Sequence, residues 1–246
     1  SSKAFNDSGT THNDIWDAAQ ILASGDSRYE LKGQLDSIHN LGLMQGNIED
    51  LGMYWTKIPV DTTHIQGIYH LCSLGNGIVL AGSYGGGYGS YIYRSTDWGK
   101  TFPTKITLEE TNANHSTYQL LYLGNGIVLC GFYGKVNSNS FLGSIYRSTD
   151  SGITWSKYDL PTNPTYVIST ICLCDCGNGI VLVGSSNITS QSEIWKSIDY
   201  GLTFSLVTPG IIESGNSINC ITYLGHGISI LITTNNVYKT LDNGNT

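Results

Sequence analysis

The sequence contains little charge. Asp, Glu, Lys and Arg make up 13% of its 246 residues, and the 12 Lys and Arg are scattered among 19 Asp and Glu. Nucleic-acid binding through phosphates needs clustered basic side chains, so a net charge of −7 argues against that function. No apolar run approaches the ~20 residues that cross a bilayer, and no basic segment followed by an apolar stretch resembles a signal peptide.

Common catalytic and metal-binding motifs are also missing. The sequence has no G-x-S-x-G, no H-E-x-x-H and no phosphate-binding glycine loop, and no two of its six histidines show metal-ligand spacing. Cys172, Cys174 and Cys176 alternate along the chain, so on a strand they would share one face. Such neighbours converge poorly on a tetrahedral ion, and we expect free thiols packed in a sheet, with a zinc site as the alternative. We predict no metal and no cofactor.

What the sequence does contain is glycine, tyrosine and internal repetition. The unit Gly75–Gly82 (GNGIVLAG) returns at Gly124–Gly131, at Gly177–Gly184 and, altered, at Gly225–Ile232, with starting glycines 49, 53 and 48 residues apart. Asn-Gly between apolar runs is a strong hairpin signal, because both turn positions need positive φ. The sequence therefore predicts repeated antiparallel hairpins.

A second motif, S-x-D-x-G-x-T-[WF], follows each hairpin unit and ends as a partial copy at Thr246. In a turn, the Asp can accept bonds from backbone N–H groups, the Gly can take a conformation barred to other residues, and the aromatic can anchor the turn. We predict a structural role for the repeated residues, against a catalytic or calcium-binding alternative. They are Ser95, Asp97, Gly99, Thr101, Ser148, Asp150, Gly152, Thr154, Ser197, Asp199, Gly201, Thr203, Asp242 and Gly244.

This motif resembles the Asp box of sialidases and other β-propellers, and the resemblance covers about residues 70–246. It implies a mainly β fold, a β-propeller of four-stranded antiparallel blades with an Asp box in the turn between the third and the outermost strand of each blade. The expected strands of the first blade are 68–74, 78–83, 90–95 and 101–107, with later blades at 117–158, 167–208 and from about 217. Either the chain continues beyond Thr246 to further blades, or Tyr54–Ile58 supplies the missing outer strand, since it is similar to Thr154–Tyr158.

Residues 1–51 differ from the repeats, and residues 52–246 form the predicted propeller domain. Asp14–Ala23 has helical apolar spacing, and a turn at Gly25–Ser27 separates it from Tyr29–Ile38. These two segments resemble an N-terminal motif of tailed-phage fibre and baseplate proteins, with Ala19 and Gln34 where Arg is usual. The resemblance implies a helical arm that joins the protein to other virion proteins, with a homotrimer as the expected oligomer.

The Asp box raises the possibility of a sialidase, which binds the sugar carboxylate with three arginines. The sequence has three arginines: Arg28 lies in the arm, and Arg94 and Arg147 share one repeat position, so no triad is available. Other propeller glycosidases use two carboxylates. The candidates are Glu109, Glu110, Asp159, Asp175, Glu193 and Glu213, and no motif selects a pair.

The connections between the second and third strands vary while the strands repeat, as expected of binding loops on a rigid scaffold. They are Ser83–Ser90, Phe132–Gly143 and Ser185–Ser192. We expect a non-enzymatic virion attachment protein on the particle surface, binding host-surface glycans through Tyr84, Tyr88, Phe132 and Tyr133. The alternatives are a glycoside hydrolase whose catalytic residues are not recognised here and a purely architectural spacer.

Overall fold

The structure is a computed structural model, and it describes residues 57–61, 65–85, 89–109, 116–137, 140–160, 169–186, 192–207 and 216–245. The chain divides into two compact units, Ser1–Lys57 and Ile58–Thr246. The predicted arm and most of the candidate closing strand lie outside the described residues, and Lys57 and Ile58 belong to no strand. Within the described ranges the chain is mainly β and has no helix, so none is long and apolar enough to span a membrane.

The described strands fall into four successive groups, which we call repeats 1 to 4. Repeat 1 contains β1 (Gly67–Gly75), β2 (Ile78–Tyr84), β3 (Ser90–Ser95) and β4 (Thr104–Glu109). Repeat 2 contains β5 (Ser116–Gly124), β6 (Ile127–Asn137), β7 (Ser140–Ser148) and β8 (Ser156–Asp159). Repeat 3 contains β9 (Ser169–Gly177), β10 (Ile180–Ser186), β11 (Ile194–Ser197) and β12 (Ser205–Leu206), and repeat 4 contains β13 (Ile218–Gly225), β14 (Ile228–Thr233) and β15 (Val237–Thr240).

Within each repeat, consecutive strands pair antiparallel. One further pair, Tyr84 with Ser116, joins β2 to β5, so repeats 1 and 2 form one eight-stranded sheet. The result is a set of curled antiparallel sheets consistent with a β-propeller.

The first hairpin of every repeat turns where the Asn-Gly signal indicates. Asn76 and Gly77 have φ of 49° and 79°, and the equivalent residues of the other repeats are also left-handed, including His226 at 54°. Asn tolerates this conformation and Gly adopts it freely, whereas most other side chains would be strained there. The turn residues therefore set where each second strand begins.

The outermost strand of repeat 1 begins later than predicted, at Thr104 rather than residue 101. Asp97 accounts for the difference, because its carboxylate binds both the backbone N–H and the hydroxyl of Thr101. Thr101 is thereby held in the turn, and strand pairing starts only at Arg94 with Thr104.

Neighbouring repeats pack through glycines of the second strand. A Cβ on Gly82 would lie 2.3 Å from Oγ1 of Thr117, and one on Gly184 would lie 2.5 Å from Cγ2 of Ile218. Each glycine therefore makes room for the first strand of the following repeat. Three clusters of buried apolar side chains fill the junctions between successive repeats, around Leu80, Leu129 and Leu182.

Candidate functional site

The turn that contains Asp150 is closed by the aspartate itself. Its Oδ1 accepts bonds from the Ser148 hydroxyl at 2.8 Å and the Thr154 N–H at 2.8 Å, and its Oδ2 accepts from the Thr154 hydroxyl at 2.6 Å. The Ser148 hydroxyl also accepts from the N–H of Gly152 at 2.9 Å. Repeats 1 and 3 reproduce these bonds around Asp97 and Asp199, each in the turn between the third and fourth strands.

The same carboxylates stay ionised because hydrogen-bond donors of the turn stabilise their charged form. Hydrogen bonds from the Ser95 hydroxyl, and then from Thr101, lower the pKa of Asp97 to about 2. Burial by itself raises the pKa of Asp150, but bonds from Thr154, Ser148 and Ile153 outweigh it and lower that pKa to about 2. Each carboxylate is engaged by donors of its own turn, and these hydrogen bonds stabilise its charged form.

In repeat 4 a threonine replaces the first serine of the motif. The Thr240 hydroxyl donates to Oδ1 of Asp242 at 2.6 Å and accepts from the N–H of Gly244 at 3.1 Å. The Asn245 N–H donates to the same carboxylate at 2.9 Å. The shorter copy of the motif therefore keeps the turn.

Two of the three arginines connect successive repeats. Nε of Arg94 donates to the backbone carbonyl of Ser151 at 2.9 Å, and Nε of Arg147 donates to the carbonyl of Tyr200 at 2.9 Å. Each bond runs from the strand before one aspartate turn to the aspartate turn of the following repeat. Both side chains thus bind backbone of the scaffold.

The candidate catalytic carboxylates that the structure describes have separate partners. Asp159 accepts from the Ser144 hydroxyl at 2.7 Å, and Asp175 accepts from the N–H of Gly177 at 2.8 Å. Glu193 accepts from the indole of Trp195 at 3.1 Å, and burial raises its pKa. The Glu109 side chain, Glu110 and Glu213 lie outside the described residues.

All six cysteines are free thiols, and Cys172, Cys174 and Cys176 are buried at the junction of repeats 3 and 4. Burial raises the pKa of Cys172 to about 12. Cys176 differs, because the neighbouring Cys174 side chain lowers its pKa. Across the described ranges, no group of three or more His, Cys, Asp or Glu side chains could hold a metal ion.

Phe132 does not lie on a surface loop. It is 1% exposed and packs edge-on against Tyr146, with ring centroids 4.9 Å apart, so its side chain cannot reach a ligand. The segment predicted as a loop from Phe132 to Gly143 is largely a hairpin, with Asn137 paired to Ser140. Phe132 occupies the repeat position of Ser83 and Ser185, and the structure buries all three side chains within the second strand of their repeats. Tyr88 and the Tyr133 side chain lie outside the described residues.

Tyr84 does form part of an aromatic surface, together with two residues that the sequence did not single out. Its ring centroid lies 5.1 Å from that of Tyr69, and the rings are tilted by 41°. Tyr118 is near both residues, since its pKa is raised first by burial and then by electrostatic interaction with Tyr84 and Tyr69. Tyr69 is 65% exposed and Tyr118 is 38% exposed. We call these three side chains the tyrosine patch.

The tyrosine patch lies at the start of β1, the end of β2 and the start of β5, away from the hairpin and aspartate turns. Those turns meet at the opposite strand ends, where the Trp98 N–H donates to the Gly77 carbonyl. One sequence signal could have found the patch, because Tyr69 and Tyr118 both stand six residues before the first glycine of a Gly-Asn-Gly unit.

A small cavity lies between repeats 3 and 4. It has a volume of about 40 Å³ and mainly apolar walls, including Leu182, Ile194, Leu231 and Tyr238. Since an apolar cavity that accepts benzene measures roughly 150 Å³, this one is too small for a sugar ring. The tyrosine patch is therefore the better candidate site.

Comparison with known proteins gives structural similarity at low sequence identity. No family model matches the chain, and no curated protein matches it. An ancestral GH74 enzyme is similar over 70% of this chain and 25% of its own, with a TM-score of 0.55 and 14% identity. The GH93 α-L-arabinofuranosidase of Fusarium graminearum, in complex with arabinobiose, has a TM-score of 0.51 and 16% identity, over 73% of this chain and 65% of its own.

A protein of unknown function from Dyadobacter fermentans has a TM-score of 0.51 and 20% identity, over 67% of this chain and 55% of its own. The chain therefore spans between a quarter and about two thirds of the lengths of these three proteins. Identities this low show the fold alone, and that fold is β-propeller-like.

Proposed function

We propose that this chain is a non-enzymatic attachment protein whose repeats are the four-stranded blades of a β-propeller and whose tyrosine patch binds carbohydrate. The observation that supports binding is the patch itself, in which the rings of Tyr69 and Tyr84 lie against each other and Tyr69 and Tyr118 are exposed. Aromatic faces suit the apolar faces of sugar rings, and hydroxyl groups can add hydrogen bonds. The position on a rigid sheet keeps the entropic cost of binding low.

The absence of catalysis is part of this proposal. The aspartates of the repeated turns are engaged by their own turn donors, and Arg94 and Arg147 bind backbone carbonyls. We further propose that residues 1–51 attach the propeller to other virion proteins, as the resemblance of Asp14–Ile38 to fibre motifs implies. When residues 52–246 are expressed in place of the full chain, the assembled particles should then lack this protein. Normal incorporation of the shortened chain would contradict the role of the arm.

The binding proposal can be tested by affinity electrophoresis of the full chain in gels that contain arabinan, xyloglucan or a sialylated glycoprotein. Replacing Tyr69, Tyr84 and Tyr118 together by Ala should weaken retention on the order of tenfold or more, as expected for the loss of two or three ring contacts. Trp98→Ala is the control, since Trp98 is 76% exposed at the opposite strand ends. Equal retention of the patch variant and the control would show that the patch is not the binding surface, and no retention of the wild-type chain would favour an architectural spacer.

A glycoside hydrolase is the second candidate function. The favouring observation is Glu193, whose half-buried carboxyl has a raised pKa, as suits a general acid. If the full chain releases reducing sugar from any of these glycans and Glu193→Gln abolishes the release, the hydrolase replaces the binding protein as the conclusion.

A further inference from the structure

One position of the first strand connects repeat 1 to repeat 2 and repeat 2 to repeat 3. It lies five residues before the first glycine of the hairpin turn, and His70 and Gln119 occupy it in repeats 1 and 2. Nδ1 of His70 accepts a bond from the N–H of Leu120 at 3.2 Å. Gln119 makes the equivalent contact with Leu173, accepting from its N–H at 2.7 Å and donating to its carbonyl at 3.0 Å. Leu120 and Leu173 are themselves equivalent residues of successive repeats.

The two contacts differ in chemistry. An amide accepts a hydrogen bond at any pH, whereas Nδ1 of an imidazole accepts one only while it carries no proton. A protonated His70 would place an N–H against the N–H of Leu120, and that bond would be lost. The junction between repeats 1 and 2 therefore contains a hydrogen bond that depends on pH, which we call the titratable bond. The equivalent bond between repeats 2 and 3 does not depend on pH.

The surroundings of His70 favour its neutral form. It is half-buried, and this burial lowers its pKa from the ordinary value of 6.5. The strands packed on β1 are β2 and β5, and these three strands contain no Asp, Glu, Lys or Arg. Their other titratable groups are tyrosines and a thiol: Tyr69 and Cys72 on β1, Tyr84 on β2, and Tyr118 and Tyr122 on β5. No carboxylate of these strands would stabilise an imidazolium.

The titratable bond lies beside the tyrosine patch. His70 directly follows Tyr69, and Leu120 lies two residues after Tyr118, so the bond joins the two strands that present these rings. Building on the proposed function, we propose that His70 is a positioning residue of the tyrosine patch, whose neutral imidazole holds β5 against β1 and whose protonation releases that bond and weakens carbohydrate binding. The site would then bind at neutral pH and release its ligand on acidification.

The sign of the effect on stability follows from the lowered pKa. Because the folded protein binds a proton at His70 less readily than the unfolded chain, the contribution of this residue is complete above about pH 6.5. It is lost as the pH falls from 6.5 through the lowered pKa of the folded state. Loss of the Leu120 bond follows protonation of the folded state, so it should occur at the lower end of this range.

The experiment follows amide hydrogen exchange of the full chain by NMR at about pH 7.5 and about pH 4.5. After correction for intrinsic exchange, protection of the Leu120 amide should fall about tenfold at the lower pH, as expected for one lost hydrogen bond. Protection of the Leu173 amide should not change. Unchanged protection of Leu120, or a parallel loss at Leu173, would overturn the proposal whether or not a ligand is found.

Retention by arabinan or xyloglucan gels at the same two pH values tests the link to binding. We expect the wild-type chain to lose retention at the lower pH and His70→Gln, which introduces the side chain found at position 119, to lose this pH dependence. The control is His226→Asn, which removes another histidine and restores the residue found in the other three hairpin turns. If His70→Gln and His226→Asn show the wild-type pH profile, His70 does not position the patch. If neither the wild-type chain nor any variant is retained at either pH, the proposed function fails. The exchange of the Leu120 amide then still shows whether the bond to His70 is lost at low pH.

Discussion

The glycine of the aspartate turn offers a sharp test of how the repeats pack. Gly152 has a φ of +82°, and a Cβ added there would lie 2.7 Å and 2.9 Å from the two terminal carbons of Leu80 in the preceding repeat. Leu80 is fully buried. Gly152→Ala should therefore lose about 1–2 kcal/mol from the left-handed backbone and about 1–3 kcal/mol more from overpacking at Leu80. Free energies of unfolding from urea titration would measure the total.

Gly124→Ala separates the two contributions. Gly124 has a similar φ of +86°, but a Cβ there would meet nothing within 4 Å. This variant should lose only the backbone part, about 1–2 kcal/mol. In a Leu80→Ala background, Gly152→Ala should cost no more than Gly124→Ala, because the opposing side chain is gone. Equal losses for the two glycine variants in the wild-type background would show that the aspartate turn does not press on the preceding repeat.

Three other predictions concern the aspartate turns. Asp150→Ala should lower the free energy of unfolding by about 1–3 kcal/mol. The control variant Asp175→Ala should lower it less, because Asp175 is bonded to one backbone N–H. If Asp150→Ala is fully stable yet loses one defined activity, the structural role of Asp150 in the turn is wrong. Since the folded pKa of Asp150 is about 2, its contribution is complete above the ordinary pKa of 3.8 and is lost as the pH falls toward 2, so this variant should show a flatter acid-denaturation profile. Arg147→Gln breaks the bond to the next aspartate turn and should lower the free energy of unfolding by less than about 1 kcal/mol at this exposed site. If the variant loses glycan retention but no stability, the guanidinium belongs to a ligand site instead.

The strand hairpins could be predicted because their signals are local. Asn76-Gly77 and its equivalents adopt positive φ for reasons that lie within the two residues, and alternation of apolar side chains then marks the flanking strands. The start of β4 at Thr104 was harder to predict, since it depends on the bonds between Asp97 and Thr101. Even so, all of these groups lie within one short segment of the sequence.

The repeat, its turns and a mainly β, propeller-like fold therefore follow from the order of the residues. The exposure of the aromatic side chains depends instead on how the sheets pack, which buries Phe132 against Tyr146 and leaves Tyr69 and Tyr118 exposed beside Tyr84. The same packing places His70 against Leu120, a partner 50 residues away. The physical reason is that exposure and contacts between repeats depend on how one curled sheet packs on the next, through close approaches such as that of Gly82 to Thr117. Local periodicity contains no information about that packing.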